Sequence, residues 1–192
     1  MWGAVGGYEM GRTGASFSTF FRFRPYAPRV DTFIVVTAQY VPFLVPLAGL
    51  VVWLMLDRPG KVTLGVRSVV AFALALILIK VFQMAHNDPR PFVVNPAVKP
   101  LFPHVADNGF PSDHTTMVVT VSLLVILYRR WLGVALLVVS AFVGWARVAS
   151  HVHHTQDIVA GAVIGIIAVA VGMLAEPPIT RWWTARRQVA AH

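Results

Sequence analysis

The segment VTLGVRSVVAFALALILIKVFQMA, at residues 62–85, decides the fold class. Its charged side chains are Arg67 and Lys80, one towards each end, where a long side chain can extend to the membrane surface. A helix needs about 20 mostly apolar residues to cross a hydrocarbon core about 30 Å thick. Because residues 62–85 meet that requirement, the sequence predicts a membrane-spanning helix here.

Four further apolar runs lie on either side of this segment. They occupy residues 32–56, 114–128, 131–149 and 158–175. Helix-breaking residues follow the first and the last run, at residues 57–60 and at Pro177-Pro178. The sequence therefore predicts an all-α integral membrane helical bundle with about five transmembrane helices. Gly161 and Gly165 in the last run form the small-residue spacing that lets helices pack closely.

The composition supports a membrane protein. Of the 192 residues, 57% are hydrophobic and only 12% are charged, about half of the roughly 25% found in soluble domains. The net charge of +8 comes from basic residues placed between apolar runs, which favours membrane lipids over nucleic acid as partners. The absence of cysteine excludes disulfides, thiolate metal sites and cysteine nucleophiles.

The length predicts one membrane-embedded domain over residues 1–192. Residues 1–29 alternate aromatic and arginine side chains and are expected to form an interfacial helix. Residues 30–175 form the predicted catalytic bundle, and residues 176–192 form a basic aromatic tail. With Arg90 and Arg147 set aside as functional, basic residues are more numerous on the side of the C-terminus. This favours a cytoplasmic C-terminus, with residues 86–113 and 147–157 outside.

Polar residues away from the chain ends fall into three clusters, and the five predicted spans place all three at one membrane interface. Ionisable residues at a membrane are costly, so such a concentration indicates a functional site. A site of this kind suits a lipid headgroup. The clusters are Lys80 with residues 88–92, then residues 110–114, then Arg147 with His151, His153, His154 and Asp157.

These residue types suit phosphoryl transfer. Arginine and lysine donate several N–H groups to phosphate oxygens, and a helix that starts at Asp113-His114 would point backbone N–H groups at an anion. A carboxylate such as Asp157 can fix the tautomer of one histidine, whose other nitrogen then attacks phosphorus. Chemistry alone leaves open which histidine of the third cluster attacks. A metal site in that cluster is disfavoured because cysteine is absent and only one carboxylate is near.

At these residues the sequence resembles the type 2 phosphatidic acid phosphatase superfamily. The family's second signature is met by Pro111-Ser112-Asp113-His114. Its third is met in spacing by Arg147, His153 and Asp157, with Ala146 where the family usually has serine, and this spacing selects His153 as the nucleophile. The sequence departs from the family's first signature, because nine residues separate Lys80 from Arg90-Pro91, whereas the family has six. Gln83 stands at the family's lysine position.

Within the superfamily, residues 89–93, 103–107 and 110–115 resemble the bacitracin-resistance-type undecaprenyl-diphosphate phosphatases. The resemblance implies an enzyme without metal or cofactor on the outer face of the bacterial plasma membrane. It would remove the terminal phosphate of an isoprenoid diphosphate lipid, recycling a carrier lipid for cell-wall synthesis.

The resemblance also implies a role for each matching residue. His153, oriented by Asp157, attacks phosphorus, and His114 protonates the leaving group and then activates water. The implied phosphate-binding residues are Lys80, Arg90, Ser112, Asp113 through its backbone N–H, and Arg147, with Gln83 as a partial substitute for Lys80. His104 and Asp107 lie in the loop that resembles this branch, and two roles stay open for them: contact with the second phosphate, or a structural role in the loop.

Two other functions compete with this one. The same chemistry could act on phosphatidate, phosphatidylglycerol phosphate or a polyprenyl-phosphoryl sugar phosphate. A non-catalytic transporter or lipid-handling protein would use the histidines as proton relays, but it predicts charges in mid-membrane, whereas these cluster at one interface.

Overall fold

The structure is a computed structural model that describes residues 28–189, with side chains for residues 29–182. Within this part of the chain the fold is all-α, as predicted, and the only β pairing is an isolated bridge between Pro89 and Asn108. The predicted interfacial segment at residues 1–29 lies almost entirely outside the described residues. The helices are α1 (Pro28–Gln39), α2 (Val41–Met55), α3 (Arg58–Ala85), α4 (Pro91–Val94), α5 (Asp113–Ile126), α6 (Arg130–Ala149) and α7 (Thr155–Val189).

The first predicted span is not one continuous helix. It consists of α1 and α2, which meet at Tyr40 and are bent by 44°. Pro42 explains the break, because proline has no N–H to donate to the carbonyl four residues earlier, at Ala38, and its ring disfavours helical geometry in the residue before it. The carbonyl of Ala38 is thereby left free for another donor.

Three helices, α3, α6 and α7, are long and apolar enough to cross a membrane, and the bent pair α1–α2 makes a fourth candidate. The third predicted span corresponds to α5, which has 14 residues. At 1.5 Å per residue it is about 21 Å long, which is shorter than a hydrocarbon core. The chain is thus a multi-pass membrane protein with a short inner helix in place of one full span.

Helix α5 is the centre of the bundle and packs against α2, α3, α6 and α7. The close contact with α7 depends on two glycines, as their spacing predicts. A Cβ atom on Gly161 would lie 2.5 Å from the carbonyl oxygen of Ser112, and one on Gly165 would lie 3.2 Å from that of Thr116. The two backbones therefore approach at the level where the second and third sequence clusters meet.

Helix α7 continues through Pro177 and Pro178 to Val189, so the predicted end near residue 175 is wrong. Packing against α3 explains the continuation. Glu176 forms a 3.4 Å ion pair with Arg67 of α3, and a Cβ on Gly172 would lie 2.7 Å from the Arg67 carbonyl oxygen. Local preference opposes a helix here, because each proline costs about 3 kcal/mol relative to alanine in a helix interior.

Candidate active site

The centre of the site is a buried histidine–aspartate pair between α6 and α7. His153 Nδ1 lies 3.1 Å from Asp157 Oδ2, and the two side chains are 1% and 0% exposed. His153 lies just before α7 and Asp157 in its first turn. The carboxylate also accepts a 2.8 Å hydrogen bond from the backbone N–H of His154. Because an aspartate only accepts when ionised, it places the imidazole proton on Nδ1 and leaves the lone pair on Nε2.

The surroundings keep His153 neutral. Burial lowers its pKa below the ordinary 6.5, and the charges of Arg147 and Arg90 lower the pKa further, against the opposing effect of Asp157. A neutral imidazole with a free Nε2 lone pair is the form that can act as a nucleophile.

Two buried arginines converge on that nitrogen. Arg90 Nη1 lies 3.3 Å and Arg147 Nη2 lies 3.2 Å from His153 Nε2. Arg90 Nη1 also donates a 2.6 Å hydrogen bond to the carbonyl of Val152. Guanidinium groups bind phosphate oxygens through charge-assisted hydrogen bonds. The arginines therefore mark where a phosphoryl group would lie, directly in front of His153.

The arginines are held by groups from separate parts of the chain. Asp107 Oδ1 accepts a 2.7 Å hydrogen bond from Arg90 Nε. Arg147 Nη1 donates a 3.3 Å hydrogen bond to the Ala38 carbonyl, which Pro42 leaves free. Arg147 Nη2 lies 3.3 Å from His104 Nε2. The two loop residues of unassigned role, His104 and Asp107, thus each contact one arginine.

Helix α5 begins at the site with Ser112, and the N–H groups of His114 and Thr115 donate to the side chains of Asp113 and Ser112. Ser112 is the N-cap and is fully buried. Its Oγ accepts hydrogen bonds from the N–H and Oγ1 of Thr115, at 3.4 and 3.1 Å, so its own hydroxyl hydrogen remains for another acceptor. Its backbone N–H donates a 3.0 Å hydrogen bond to the Asp157 carbonyl. The predicted helix start at Asp113 is confirmed, and this backbone bond joins the second sequence cluster to the third.

His114 lines an apolar cavity next to Asp113, and within the described part of the chain no hydrogen bond or ion pair joins its side chain to Arg90, Arg147 or His153. The Nδ1 atom of His114 is 3.4 Å from Asp113 Oδ1. The cavity has a volume of about 270 Å³ and is lined by His114, Asp113 and side chains of α2, α3 and α5. A second cavity of about 360 Å³ shares Phe72 with the first and runs along the same three helices to Trp53. A general acid placed here would face a leaving group with an apolar tail.

Lys80 and Gln83 lie apart from the two arginines. Lys80 Nζ donates a 3.1 Å hydrogen bond to Gln83 Oε1, and the Lys80 side chain is exposed. Among the described residues, no hydrogen bond or ion pair joins either side chain to Arg90, Arg147 or His153. Their predicted contact with phosphate stays a prediction.

Asn108 is a supporting residue that the sequence reasoning missed. Its Oδ1 accepts hydrogen bonds from the backbone N–H groups of Asp88 and Phe110, both at 3.0 Å. Its Nδ2 donates to the His86 carbonyl at 2.8 Å. Asn108 thus ties the loop before Arg90 to the loop before Ser112. The Asn-Gly pair in the sequence signals only a turn.

One group of described residues could reach a common cation. Ligand atoms of Asp88, His154 and Asp157 lie within 4.8 Å of one another. Asp157 Oδ2 already accepts hydrogen bonds from His153 and His154, so a cation at this oxygen would compete with the histidine pair. The prediction of a site without metal stays a prediction.

Comparison with known proteins assigns the family. Residues 64–181 match the family model of the PAP2 superfamily. The chain belongs to the PAP2 superfamily. This confirms the resemblance, and the bacitracin-resistance-type branch is represented among the relatives of this PAP2 protein.

Three relatives of this PAP2 protein show the match. It is 34% identical over 131 residues to the bacitracin transport permease protein BcrC of Bacillus licheniformis, covering 68% of this chain and 64% of that relative's length. It is 34% identical over 145 residues to the putative undecaprenyl-diphosphatase YbjG of Escherichia coli, covering 73% of this chain and 71% of the relative. The undecaprenyl-diphosphatase BcrC of Bacillus subtilis is 28% identical over 138 residues, covering 72% of this chain and 70% of the relative.

Two solved structures share the fold. The crystal structure of Aquifex aeolicus LpxE has a TM-score of 0.64 at 24% identity and covers 78% of this chain and 88% of its own. A PAP2-type phosphatidylglycerolphosphate phosphatase of Bacillus subtilis has a TM-score of 0.56 at 18% identity and covers 77% of each chain. At these identities the likeness establishes the transmembrane PAP2 fold.

Proposed function

We propose that this PAP2 protein hydrolyses the terminal phosphate of a polyprenyl diphosphate, with undecaprenyl diphosphate as substrate and undecaprenyl monophosphate as product. One observation carries the chemistry: the unprotonated Nε2 of a buried, aspartate-bound histidine faces two buried arginines at 3.2 and 3.3 Å. The choice of lipid is supported by the relatives that are named undecaprenyl-diphosphatases.

The first step forms a phosphohistidine. Arg90 and Arg147 bind the terminal phosphoryl group, with the Ser112 hydroxyl and the backbone N–H near Asp113 as further donors. His153 Nε2 attacks phosphorus while the bond from phosphorus to the bridging oxygen breaks. His114 donates a proton to that oxygen, and the lipid monophosphate leaves.

The second step regenerates the enzyme. His114, now neutral, takes a proton from water, and the water oxygen attacks phosphorus while the phosphorus–nitrogen bond breaks. Inorganic phosphate leaves, and Nε2 of His153 regains its lone pair. Asp157 keeps the Nδ1 proton in place throughout, so each step uses the same tautomer.

The apolar cavity beside His114 supports a lipid leaving group. Its lining places apolar side chains such as Phe43, Leu76 and Met117 next to the proposed general acid.

We place the site on the extracytoplasmic side of the bacterial plasma membrane, where the reaction would return the carrier lipid for cell-wall synthesis. Hydrolysis of added substrate by intact cells, without permeabilisation, is the expected result for this orientation.

A panel of lipid phosphates tests the substrate. We expect the purified protein to release phosphate faster from an isoprenoid diphosphate than from phosphatidate or phosphatidylglycerol phosphate. His153→Ala should release none from any of them while staying folded in membranes. His151→Asn is the matched control, because His151 has a φ of 61°, which asparagine tolerates, and should keep full activity. Equal or faster turnover of phosphatidate would contradict the proposed substrate, and activity in His153→Ala would contradict the nucleophile.

A further inference from the structure

Because the sequence departs from the family's first signature, the role of the family's lysine has no assigned residue in the site. Gln83 stands where the family has a lysine, and the nearby Lys80 donates to Gln83 instead of approaching the arginines. In phosphoryl transfer, negative charge spreads over three equatorial oxygens, which donors must stabilise. Two arginines and the start of α5 surround this position, so a further side chain close to the arginines is the candidate for the lysine's role.

His104 occupies that place. Its Nε2 lies 3.3 Å from Arg147 Nη2, the same nitrogen that lies 3.2 Å from the nucleophilic Nε2 of His153. A phosphoryl group bound to this guanidinium nitrogen would therefore lie beside both imidazoles. Lys80 has no comparable contact among the described residues.

The loop that carries His104 is firmly attached to the bundle. Phe102 is buried in a cluster with Ile34, Ala38, Ala146 and Val152. The rings of Phe102 and His104 meet edge to face, with centroids 5.8 Å apart. One residue earlier, the Leu101 N–H donates a 3.2 Å hydrogen bond to the carbonyl of Ser150. These contacts fix the imidazole beside Arg147.

We propose that His104 donates a hydrogen bond to the scissile phosphoryl group and so replaces the lysine of the family's first signature. This inference rests on the proposed phosphatase function and names a catalytic residue for it. It resolves the two roles left open for His104 in favour of substrate contact, but with the terminal phosphate instead of the second one.

The electrostatic surroundings explain how a neutral His104 becomes a donor. Burial, Arg90 and Arg147 lower its pKa to about 4, His153 adds to this, and Asp107 opposes it. Before phosphate binds, His104 is therefore a neutral imidazole that accepts from Arg147. A bound phosphate dianion cancels the field of the two arginines, so the pKa of His104 rises. His104 then takes one proton from solvent, and Nε2–H donates to a phosphoryl oxygen while Arg147 Nη2 turns to the phosphate.

Kinetics of three variants test the proposal. We expect His104→Ala to lower kcat/KM on the order of 100-fold, as loss of one transition-state donor does in other enzymes. The loss for Lys80→Met should be at least tenfold smaller, on whichever lipid phosphate the wild type hydrolyses fastest. Asp57→Asn is the fold control, because Asp57 caps α3 through Gly60 and asparagine caps equally well. A large loss in Lys80→Met with full activity in His104→Ala would overturn the proposal.

Binding of inorganic phosphate gives a readout that does not depend on turnover. Between pH 6 and 8 the wild type should take up one more proton on binding phosphate than His104→Gln does, because binding protonates His104. His104→Gln, whose amide can still donate, should bind phosphate without that proton-linked component. An unchanged pH dependence in His104→Gln would overturn the proposal even if the lipid substrate had been chosen correctly. Phosphate binding with the expected pH dependence, but no hydrolysis of any lipid phosphate, would support the His104 contact and contradict the proposed function.

Discussion

At the scale of single residues, the contact between His153 and Asp157 determines the chemistry. Both side chains are almost completely buried, and the carboxylate is anchored by a second hydrogen bond from the His154 N–H. An anchored carboxylate next to Nδ1 is what keeps the attacking nitrogen unprotonated. The proposed nucleophile is therefore held in its reactive form by its own neighbours.

The first prediction concerns that carboxylate. Asp157→Asn should lower kcat by about 10³–10⁴-fold, because an amide can donate to Nδ1 and then favours the wrong tautomer. KM should change little, since the arginines remain. Steady-state kinetics on the preferred lipid phosphate measures both constants, with Asp57→Asn as the control for a change of charge far from the site. A loss of less than tenfold in Asp157→Asn would contradict the orienting role.

The second prediction concerns pH. The pKa of His153 is lowered from 6.5 by burial, so the reactive neutral form persists as the pH falls through 6.5 and is lost only below the lowered pKa. We expect kcat/KM, which reports groups of the free enzyme, to show no decline on the acid side down to pH 6.5. A half-maximal value of kcat/KM at or above pH 6.5 on that side would contradict a depressed pKa.

At the scale of helices, the sequence predicted the apolar spans well but not their interruptions. Apolar length identifies α3, α6 and α7, because hydrophobic content follows directly from the residues. The break at Tyr40 follows from the local signal of Pro42, whereas α7 passes through Pro177-Pro178 while it packs against α3 at Gly172. No local pattern reports such partners.

The candidate site likewise contains contacts that the sequence predicted and contacts that it did not. Motif spacing selected His153, Asp157 and the helix start at Asp113, because these contacts are local in the chain or follow from a helix N-terminus. The contacts of Arg90 with Asp107, and of Arg147 with His104, join residues that are 17 and 43 positions apart in sequence. Spacing cannot report such contacts, so His104 and Asp107 kept two open roles and Asn108 was missed.

The third prediction concerns the contact between α5 and α7. Gly161→Ala should destabilise the protein by about 1–3 kcal/mol, the usual cost of overpacking, because the new Cβ would lie 2.5 Å from the Ser112 carbonyl. Activity should fall as well, since Ser112 and Asp157 are joined through the backbone at this level. Thermal unfolding in detergent measures the first effect and phosphate release the second.

Gly65→Ala is the matched control for this substitution. Gly65 is also inside a helix, but the nearest atom to its added Cβ would be Trp53 Nε1 at 3.8 Å, an ordinary contact. Its stability should be unchanged or slightly higher, because alanine favours the helix over glycine. Equal stability of the two variants would contradict the close packing at Gly161.

At the scale of the whole molecule, three polar clusters from separate segments meet at one end of the bundle. Helix α5 starts there, α7 starts there, and the loop of residues 95–112 covers the arginines. In the proposed reaction these cationic and N–H groups would balance the phosphate charge, so donors would be present without a divalent cation.

The fourth prediction follows from this balance. Phosphate release should stay within about twofold of its original rate in excess EDTA, as expected when arginines, not a metal, neutralise the phosphoryl group. EDTA already saturated with Mg²⁺ is the control for effects of the chelator on the membrane or detergent. A loss that one particular divalent ion restores would contradict the metal-free mechanism and would point to Asp88, His154 and Asp157.

The break in the first span has a consequence for protein engineering. The region that matches the family, residues 64–181, contains all three signatures but excludes α1 and α2. Arg147 nevertheless donates to a carbonyl of α1 that is available only because the helix stops there. A chimera that joins residues 64–181 to a foreign, uninterrupted first helix would contain every motif. It would nevertheless lose the hydrogen bond that Arg147 donates to α1. A helix that replaces α1 and α2 must therefore break at the same position, as well as being hydrophobic.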